Sequence, residues 1–292
     1  MKVGYCGLVG KPNVGKSTLL NALLKYKLAI ISPKPQTTRH RILGILSGEG
    51  YQILFLDSPG ILTPKYTLQE MMVKEIMEVI TDSDVILFVT EAFGPPDEIE
   101  EKNLKRLLAE KKPTLIVINK VDLVPKDSLL PIIDKYQEMG FKDIYPISAL
   151  QLDGIEDLKK GIVEKLPEGE PYYPPEEISD RPQRFFVAEI LREAIFNLYG
   201  EEIPYATTVE VEEFKEREGG KDYIRAIIYV EKPSQKKIII GEGGKAIKRL
   251  GSWARKNIEN FLGKEVYLEL WVKVAEGWRK DINFIRDKIY NP

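Results

Sequence analysis

Thiol and imidazole are almost missing from this 292-residue chain, which has one cysteine, Cys6, and one histidine, His40. A lone thiol cannot close an internal disulfide, and one thiol with one imidazole cannot make a zinc site of Cys/His spacing. Such sparing use of cysteine points to a reducing compartment. Long apolar runs are lacking too. None approaches the roughly 18 residues a membrane span needs, so peripheral contact is the only membrane role left open. The opening MKVGYCGLVGK has a basic residue and an apolar stretch, but the stretch is short, broken by glycine and without a small-residue cleavage pattern. It reads as a strand. Nor is charge of either sign in excess: 43 basic against 45 acidic side chains give a net charge of −2. That balance excludes a polyanion binder along the whole length and leaves local segregation of charge open. No internal repeat is present.

What is present suffices for two domains, since 43% of residues are hydrophobic. From Met1 to about Leu166, short apolar runs (KVGYCGLVG, RILGILSG, YQILFLD, DVILFVT, TLIVINK, DIYPIS) alternate with helical stretches. Continuous apolar runs separated by helices predict a parallel sheet covered on both faces. RILGILSGEGYQILFLD differs, because GEG between two strand patterns reads as a hairpin turn, so one antiparallel edge strand is expected. Residues 167–184, PEGEPYYPPEEISDRPQR, are rich in proline and weak in periodicity, which predicts a semi-rigid linker between domains 1–166 and 185–292. After the linker the order becomes helix, two alternating strands, an apolar stretch ending in GEGG, a helix and a strand, which is α+β.

The stretch GKPNVGKS, Gly10 to Ser17, fits G-x-x-x-x-G-K-[ST] between a strand and a helix. Its members Gly10, Lys11, Pro12, Asn13, Val14 and Gly15 bring backbone N–H groups to phosphate oxygens, and the following helix adds its positive end. Lys16 reaches the β and γ phosphates, Ser17 ligates Mg²⁺, and Thr18 follows at the helix start. Asn119, Lys120 and Asp122 in NKVD come directly after the strand TLIVI. A carboxylate at Asp122 accepts from guanine N1–H and the 2-amino group, donors that adenine lacks, so the nucleotide is expected to be GTP. Ser148 and Ala149 are expected to add a backbone N–H to the guanine carbonyl. Asp57, Ser58, Pro59 and Gly60 close the strand YQILFLD, with Asp57 holding Mg²⁺ through water and the Gly60 N–H meeting the γ-phosphate. In PQTTRHR, Thr37 and Thr38 both offer a hydroxyl to the metal, and Thr38 is the favoured one.

This five-part set, GKPNVGKS, QTTRH, DSPG, NKVD and SAL, resembles the translation-factor-type GTPases, and QTTRHR is similar to the Era family among them. The resemblance covers about the first 166 residues. The chain departs from Ras-type enzymes at Ile61, where those carry a glutamine that orients water. Slow hydrolysis is expected, carried by Lys16, Thr38, Gly60 and Asn13. In similar GTPases an asparagine at the place of Asn13 helps bind K⁺, which implies K⁺-stimulated turnover. A structural reading, in which Asn13 only tolerates a tight loop, stands beside it. His40 lacks a visible orienting partner and is not favoured as a base.

Across residues 232–256 the second half is strongly basic, with Glu242 as the one acid, while 201–218 is acidic, so one face is expected to meet a polyanion. In IIIGEGGKAIKRLG, Gly241 and Gly244 frame a G-x-x-G turn into a helix, so that a phosphate backbone can pass close to main-chain N–H groups. Ile238, Ile239, Ile240 and Ile247 are expected to line an apolar groove, with Gly241, Glu242, Gly243, Gly244, Lys245, Lys248 and Arg249 at the RNA. Trp253, Phe261, Tyr267 and Trp271 fall at helix and strand spacing and are expected in the core. The tail GWRKDINFIRDKIY reads as an amphipathic helix.

The element order resembles a type II KH domain. The fold expected is an α/β P-loop GTPase domain, its sheet mostly parallel, followed by a smaller α+β type II KH domain. End to end the chain resembles the Era family, which implies a cytoplasmic monomer that binds GTP and GDP and the 3′ end of 16S rRNA on the 30S subunit, assists its assembly, and has a peripheral membrane option. Two rivals are a P-loop kinase or ATPase, disfavoured by NKVD, and a membrane-associated GTP-binding regulator whose KH-like part docks protein.

Overall fold

A computed structural model describes residues 1–290 and divides them into two units, Met1–Thr63 with Met71–Asp180, and Pro64–Glu70 with Arg181 onward. The first unit is a six-stranded sheet built from β1 (Lys2–Val9), β2 (Ile42–Gly48), β3 (Tyr51–Asp57), β4 (Val85–Glu91), β5 (Thr114–Asn119) and β6 (Ile144–Pro146), in the order β2-β3-β1-β4-β5-β6. All neighbours are parallel except β2 and β3, the expected hairpin at one edge. Helices on both faces explain why the central strands are apolar without alternation. Cys6, Leu8 and Val9 of β1 and Val85, Ile86, Leu87, Phe88 and Val89 of β4 are all fully buried. The chain leaves β1 toward β3 on one side, while β4 lies on the other. Strand order therefore reverses at β1, and a crevice opens beyond its carboxyl end, where open α/β sheets bind ligands.

Residues 167–180 differ from the expected linker, because they are strapped to the hairpin edge of the first unit. Gln52, buried on β3, accepts from the Tyr172 and Tyr173 N–H groups at 2.8 and 3.1 Å and donates to the Tyr173 carbonyl at 2.8 Å. Further along, Ile45 N–H donates to the Ile178 carbonyl at 2.7 Å and the Ser179 hydroxyl to the Leu43 carbonyl at 2.5 Å. The unpaired side of edge strand β2 is thus covered, a common way to keep an edge from recruiting other chains. The remainder of the expected linker is short, since helix α6 (Gln183–Leu198) already begins at Gln183.

The second unit carries a three-stranded sheet, β7 (Thr207–Lys215), β8 (Asp222–Val230) and β9 (Val266–Val274). The β7–β8 pair is antiparallel and β8–β9 parallel. With α7 (Pro233–Ile240) and α8 (Lys245–Leu262) the order is α-β-β-α-α-β, as expected. The apolar stretch before GEGG is helix α7. One sheet face packs on α6, α7 and α8 through Ile190, Leu191, Ile224, Ile239, Leu250 and Ile258. On the other face the tail does pack, through Trp278, Ile285 and Ile289, but as two short helical turns and a wider final turn in place of one amphipathic helix. Two expected core aromatics are exposed. Tyr267 and Trp271 stand at 58% and 54% exposure, because strand alternation turns them away from Val266, Leu268, Leu270 and Val272. Trp253 and Phe261 are half-buried against the core. Among the described residues no helix is long and apolar enough to cross a membrane.

Candidate nucleotide site and nucleic-acid interface

The loop after β1 turns into α1 (Lys16–Leu24) at Gly15, where φ is 99° and a Cβ would fall 2.2 Å from the Asn119 side-chain nitrogen. Only glycine fits there. The Lys16 ammonium is buried and bends back over the loop, donating to the Gly10 and Lys11 carbonyls at 3.0 and 2.8 Å. Burial pushes its pKa down to about 8. Buried Asp57 is pushed up to about 6 by desolvation, against the opposing pull of the Ser17 hydroxyl and of Lys16. Both charges are therefore held at a cost that a bound polyphosphate and cation would relieve.

Ser17 is where the separate motifs meet. Its hydroxyl donates to Asp57 Oδ2 at 2.7 Å and lies 3.0 Å from Thr38 Oγ1, while Asp57 Oδ1 is buried with no hydrogen-bond partner. Three hard oxygen donors with an orphaned carboxylate oxygen fit Mg²⁺, which favours carboxylate and hydroxyl ligands with water completing its shell. Thr37 is not part of this cluster: its hydroxyl donates to the Lys34 carbonyl at 2.8 Å. Ser58 holds the neighbouring turn by donating to the Leu8 carbonyl at 2.6 Å, and after Pro59 and Gly60 the Ile61 N–H ties that turn to the Gly10 carbonyl at 3.0 Å. Ile61 packs half-buried against the core as an apolar wall. The Asn13 side chain donates to the Pro33 carbonyl at 2.9 Å, joining the phosphate loop to the threonine loop. A cleft beside these residues is lined by Pro12, Asn13, Lys16, Thr18, Thr38 and Gly60.

On the base side, Asn119 is a brace between loops. It donates to the Val14 carbonyl at 2.8 Å and accepts from the Ala149 N–H at 3.0 Å. The Ser148 N–H donates to the Asp153 carbonyl at 3.1 Å. In this structure both N–H groups of the SAL turn thus serve the protein, with Ala149 fixing Asn119. The Lys120 ammonium reaches the Asn13 carbonyl at 2.7 Å, and Asp122 is exposed at the start of a short turn. Sequence reasoning missed the acids behind this loop. Asp97 and Glu100 take the Lys11 ammonium at 2.6 and 3.2 Å, and Glu91 takes that of Lys120. No sequence signal marked Glu91, because only the β4–β5 register sets it level with Asn119.

In the second unit, Gly241 leaves α7 at φ 73°, with a would-be Cβ 2.6 Å from that of Ala246, so the turn closes tightly onto α8. Gly243 and Gly244 are also left-handed. Glu242, Gly243, Lys245, Lys248 and Arg249 are exposed, and Arg249 also donates to the Leu198 carbonyl at 3.2 Å. Beside the turn, Ile240 and Ile247, like Leu268 and Leu270 of edge strand β9, are half-buried against the shared core and keep part of their apolar surface open. Ile239 does not line the expected groove. It is fully buried on the core side of α7, whereas Ile238 is 49% exposed.

A P-loop, a guanine-type NKxD loop and a threonine that meets the P-loop serine define a GTPase module, here followed by a KH fold of the second type. A family model described as 50S ribosome-binding GTPase matches residues 5–120, and a KH domain model matches residues 202–279. The chain is 47% identical to GTPase Era of Lactobacillus helveticus and 45% identical to that of Lacticaseibacillus paracasei, covering 99% of this chain and 96% of each relative. Among solved structures it is similar to a single-residue variant of Aquifex aeolicus Era bound to GDP and AlF₄⁻ (TM-score 0.96, 42% identity, 99% of both chains). It is equally similar to an Era complex with MgGDPNP and nucleotides 1506–1542 of 16S ribosomal RNA (TM-score 0.96, 42% identity, 99% of both chains). The chain belongs to the Era family of GTPases.

Proposed function

We propose that this chain is a slow GTP-hydrolysing switch that binds 16S rRNA near its 3′ end through the KH unit and assists assembly of the 30S subunit, as a cytoplasmic monomer. The observation that carries the switch reading is the meeting of Ser17, Thr38 and Asp57, three segments distant in sequence, at one point beneath the phosphate loop. Ser17 and Thr38 would hold Mg²⁺ directly and Asp57 through water; when bound, the ion neutralises charge on the β- and γ-phosphate oxygens. Lys16 would exchange its two carbonyl acceptors for the phosphates, and a γ-phosphate with its cation would hold Thr38 in the place beside Ser17 that it takes in this structure. Loss of that phosphate releases the loop. Ile61 excludes water from one side of the site without polarising it, so turnover is slow. The resemblance to GTPases in which an asparagine at the place of Asn13 helps bind K⁺ supports faster hydrolysis in KCl than in NaCl. Equal rates reject it.

The RNA reading is supported by the exposed G-x-x-G turn between α7 and α8, by the basic side chains that follow it and by the Era–RNA complex to which the chain is similar. Titration of a 16S 3′-end RNA with the chain tests it, once with a non-hydrolysable GTP analogue and once with GDP. Tighter binding with the analogue is expected, and matching affinities would remove the switch from RNA access.

A further inference from the structure

Glu91 ends β4 level with Asn119, its register partner on β5, and the next N–H, that of Ala92, donates to the Asn119 carbonyl at 3.0 Å. Its carboxylate grips the Lys120 ammonium. The same ammonium donates to the Asn13 carbonyl at 2.7 Å, and the Asn13 side chain donates onward to Pro33. Lys120 and Asn13 both sit at left-handed backbone angles, φ 66° and 65°. Non-glycine residues keep such angles where surrounding contacts over-determine them. Here the ammonium, pinned between an anion and a carbonyl, is a contact the two residues share. A second acidic clamp lies along the same segment, where Asp97 and Glu100 hold Lys11. The stretch from Glu91 to Glu100 thus braces Lys11 within the phosphate loop and Lys120 beside it.

We propose that Glu91 is a positioning residue for guanine-nucleotide binding: by holding Lys120 against the Asn13 carbonyl, it fixes the base loop and the phosphate loop in register before the ligand arrives. The inference rests on the guanine-nucleotide reading above. Without the carboxylate, Lys120 keeps one neutral acceptor on a long, flexible stem, and its left-handed turn loses a constraint. Preorganisation lost in this way weakens binding through faster release and leaves chemistry at saturation unchanged.

Glu91→Gln keeps the size and removes the charge. Because the Lys120 and Glu91 side chains are 30% and 32% exposed, the effect should be that of one partly screened charged contact, about five- to tenfold. The test measures fluorescent GDP and GTP affinity and release, single-turnover hydrolysis at saturating GTP, and the thermal midpoint, for Glu91→Gln, Glu91→Asp, Lys120→Met and Glu91→Gln with Lys120→Met. Glu91→Gln is expected to bind more weakly by about that factor through release, with hydrolysis at saturation within about twofold of wild type; Glu91→Asp should recover part of the affinity, and adding Glu91→Gln to Lys120→Met should cost less than about twofold further affinity. Unchanged affinity in Glu91→Gln overturns the proposal, as does an equal loss with and without Lys120. A fall in midpoint and hydrolysis together would assign Glu91 to folding and overturn it too. Wild-type protein that binds ATP as well as GTP would instead defeat the guanine reading itself.

Discussion

Replacing Gln52 with alanine tests whether the strap over the hairpin edge is held by one buried side chain. Gln52 is 1% exposed and serves two N–H groups and one carbonyl of Tyr172 and Tyr173, besides donating to the Ser47 hydroxyl at 3.1 Å. Each backbone partner left unmatched costs about 1 kcal/mol net, since part of the strap can turn to water, which gives about 2–3 kcal/mol for the three. The cost falls on local opening around Tyr172 and Tyr173, whose amides should exchange hydrogen roughly 30- to 150-fold faster. Exchange measured at single residues is the right assay, because a chain of two units need not unfold in one step. Gln52→Glu would set a buried carboxylate oxygen against the Tyr173 carbonyl, so it should open the strap at least as much as alanine at neutral pH. The bonds of Ile45 and Ser179 lie beyond the grip, and amides near Ile178 should change less. Protection at Tyr172 and Tyr173 that is untouched by Gln52→Ala would refute the account and assign the strap to the β2 edge alone.

Three other outcomes follow from the same geometry. Asp97 caps α3 (Glu98–Ala109) in a capping box and pairs with Lys11, so Asp97→Ala should cost about 1 kcal/mol in thermal denaturation. Lys11 and the capping N–H groups hold its pKa below the usual carboxylate value; that stabilisation is present above the ordinary carboxylate pKa and fades as pH falls through the lowered one, so wild type and variant should converge in acid. Lys16 has its pKa lowered to about 8 in this structure and would have it raised by phosphates, so GTP affinity should be level between about pH 6, where Asp57 ionises, and pH 8, and fall up to tenfold per pH unit above that in equilibrium titration; a flat profile from pH 8 to 10 would contradict the buried ammonium. Ile239→Ala should destabilise the second unit by about 2–5 kcal/mol, whereas Lys248→Ala should leave stability within about 0.5 kcal/mol and reduce the salt slope of RNA binding by about 0.7.

The phosphate loop, the NKVD loop, the hairpin and the G-x-x-G turn were legible because each is a local device, in which residue type sets backbone geometry within a few positions. Alternating and continuous apolar runs likewise showed which strands are half-covered and which are sandwiched. Glu91 was not legible, since an acid at a strand end is ordinary until the neighbouring strand brings Lys120 beside it. The meeting of Thr38 and Ser17 was only a preference between two adjacent threonines. Ile238 and Ile239 show the limit within a single run: identical side chains about 100° apart around a helix, one in the core and one in solvent. Tyr267 and Trp271 show it on a strand, where aromatic type and spacing pointed to the core and the pleat turned them outward. The proline-rich stretch was expected as a semi-rigid linker, because nothing local reveals a glutamine more than a hundred residues earlier, buried with its amide toward that backbone. By itself the sequence determined most of the elements, though not the helical turns of the tail, and the chemistry each motif carries. Which side chains meet, which face is covered and which tether is held were decided by tertiary packing, because those contacts join residues far apart along the chain, and their energy exists only once the sheet has brought them together.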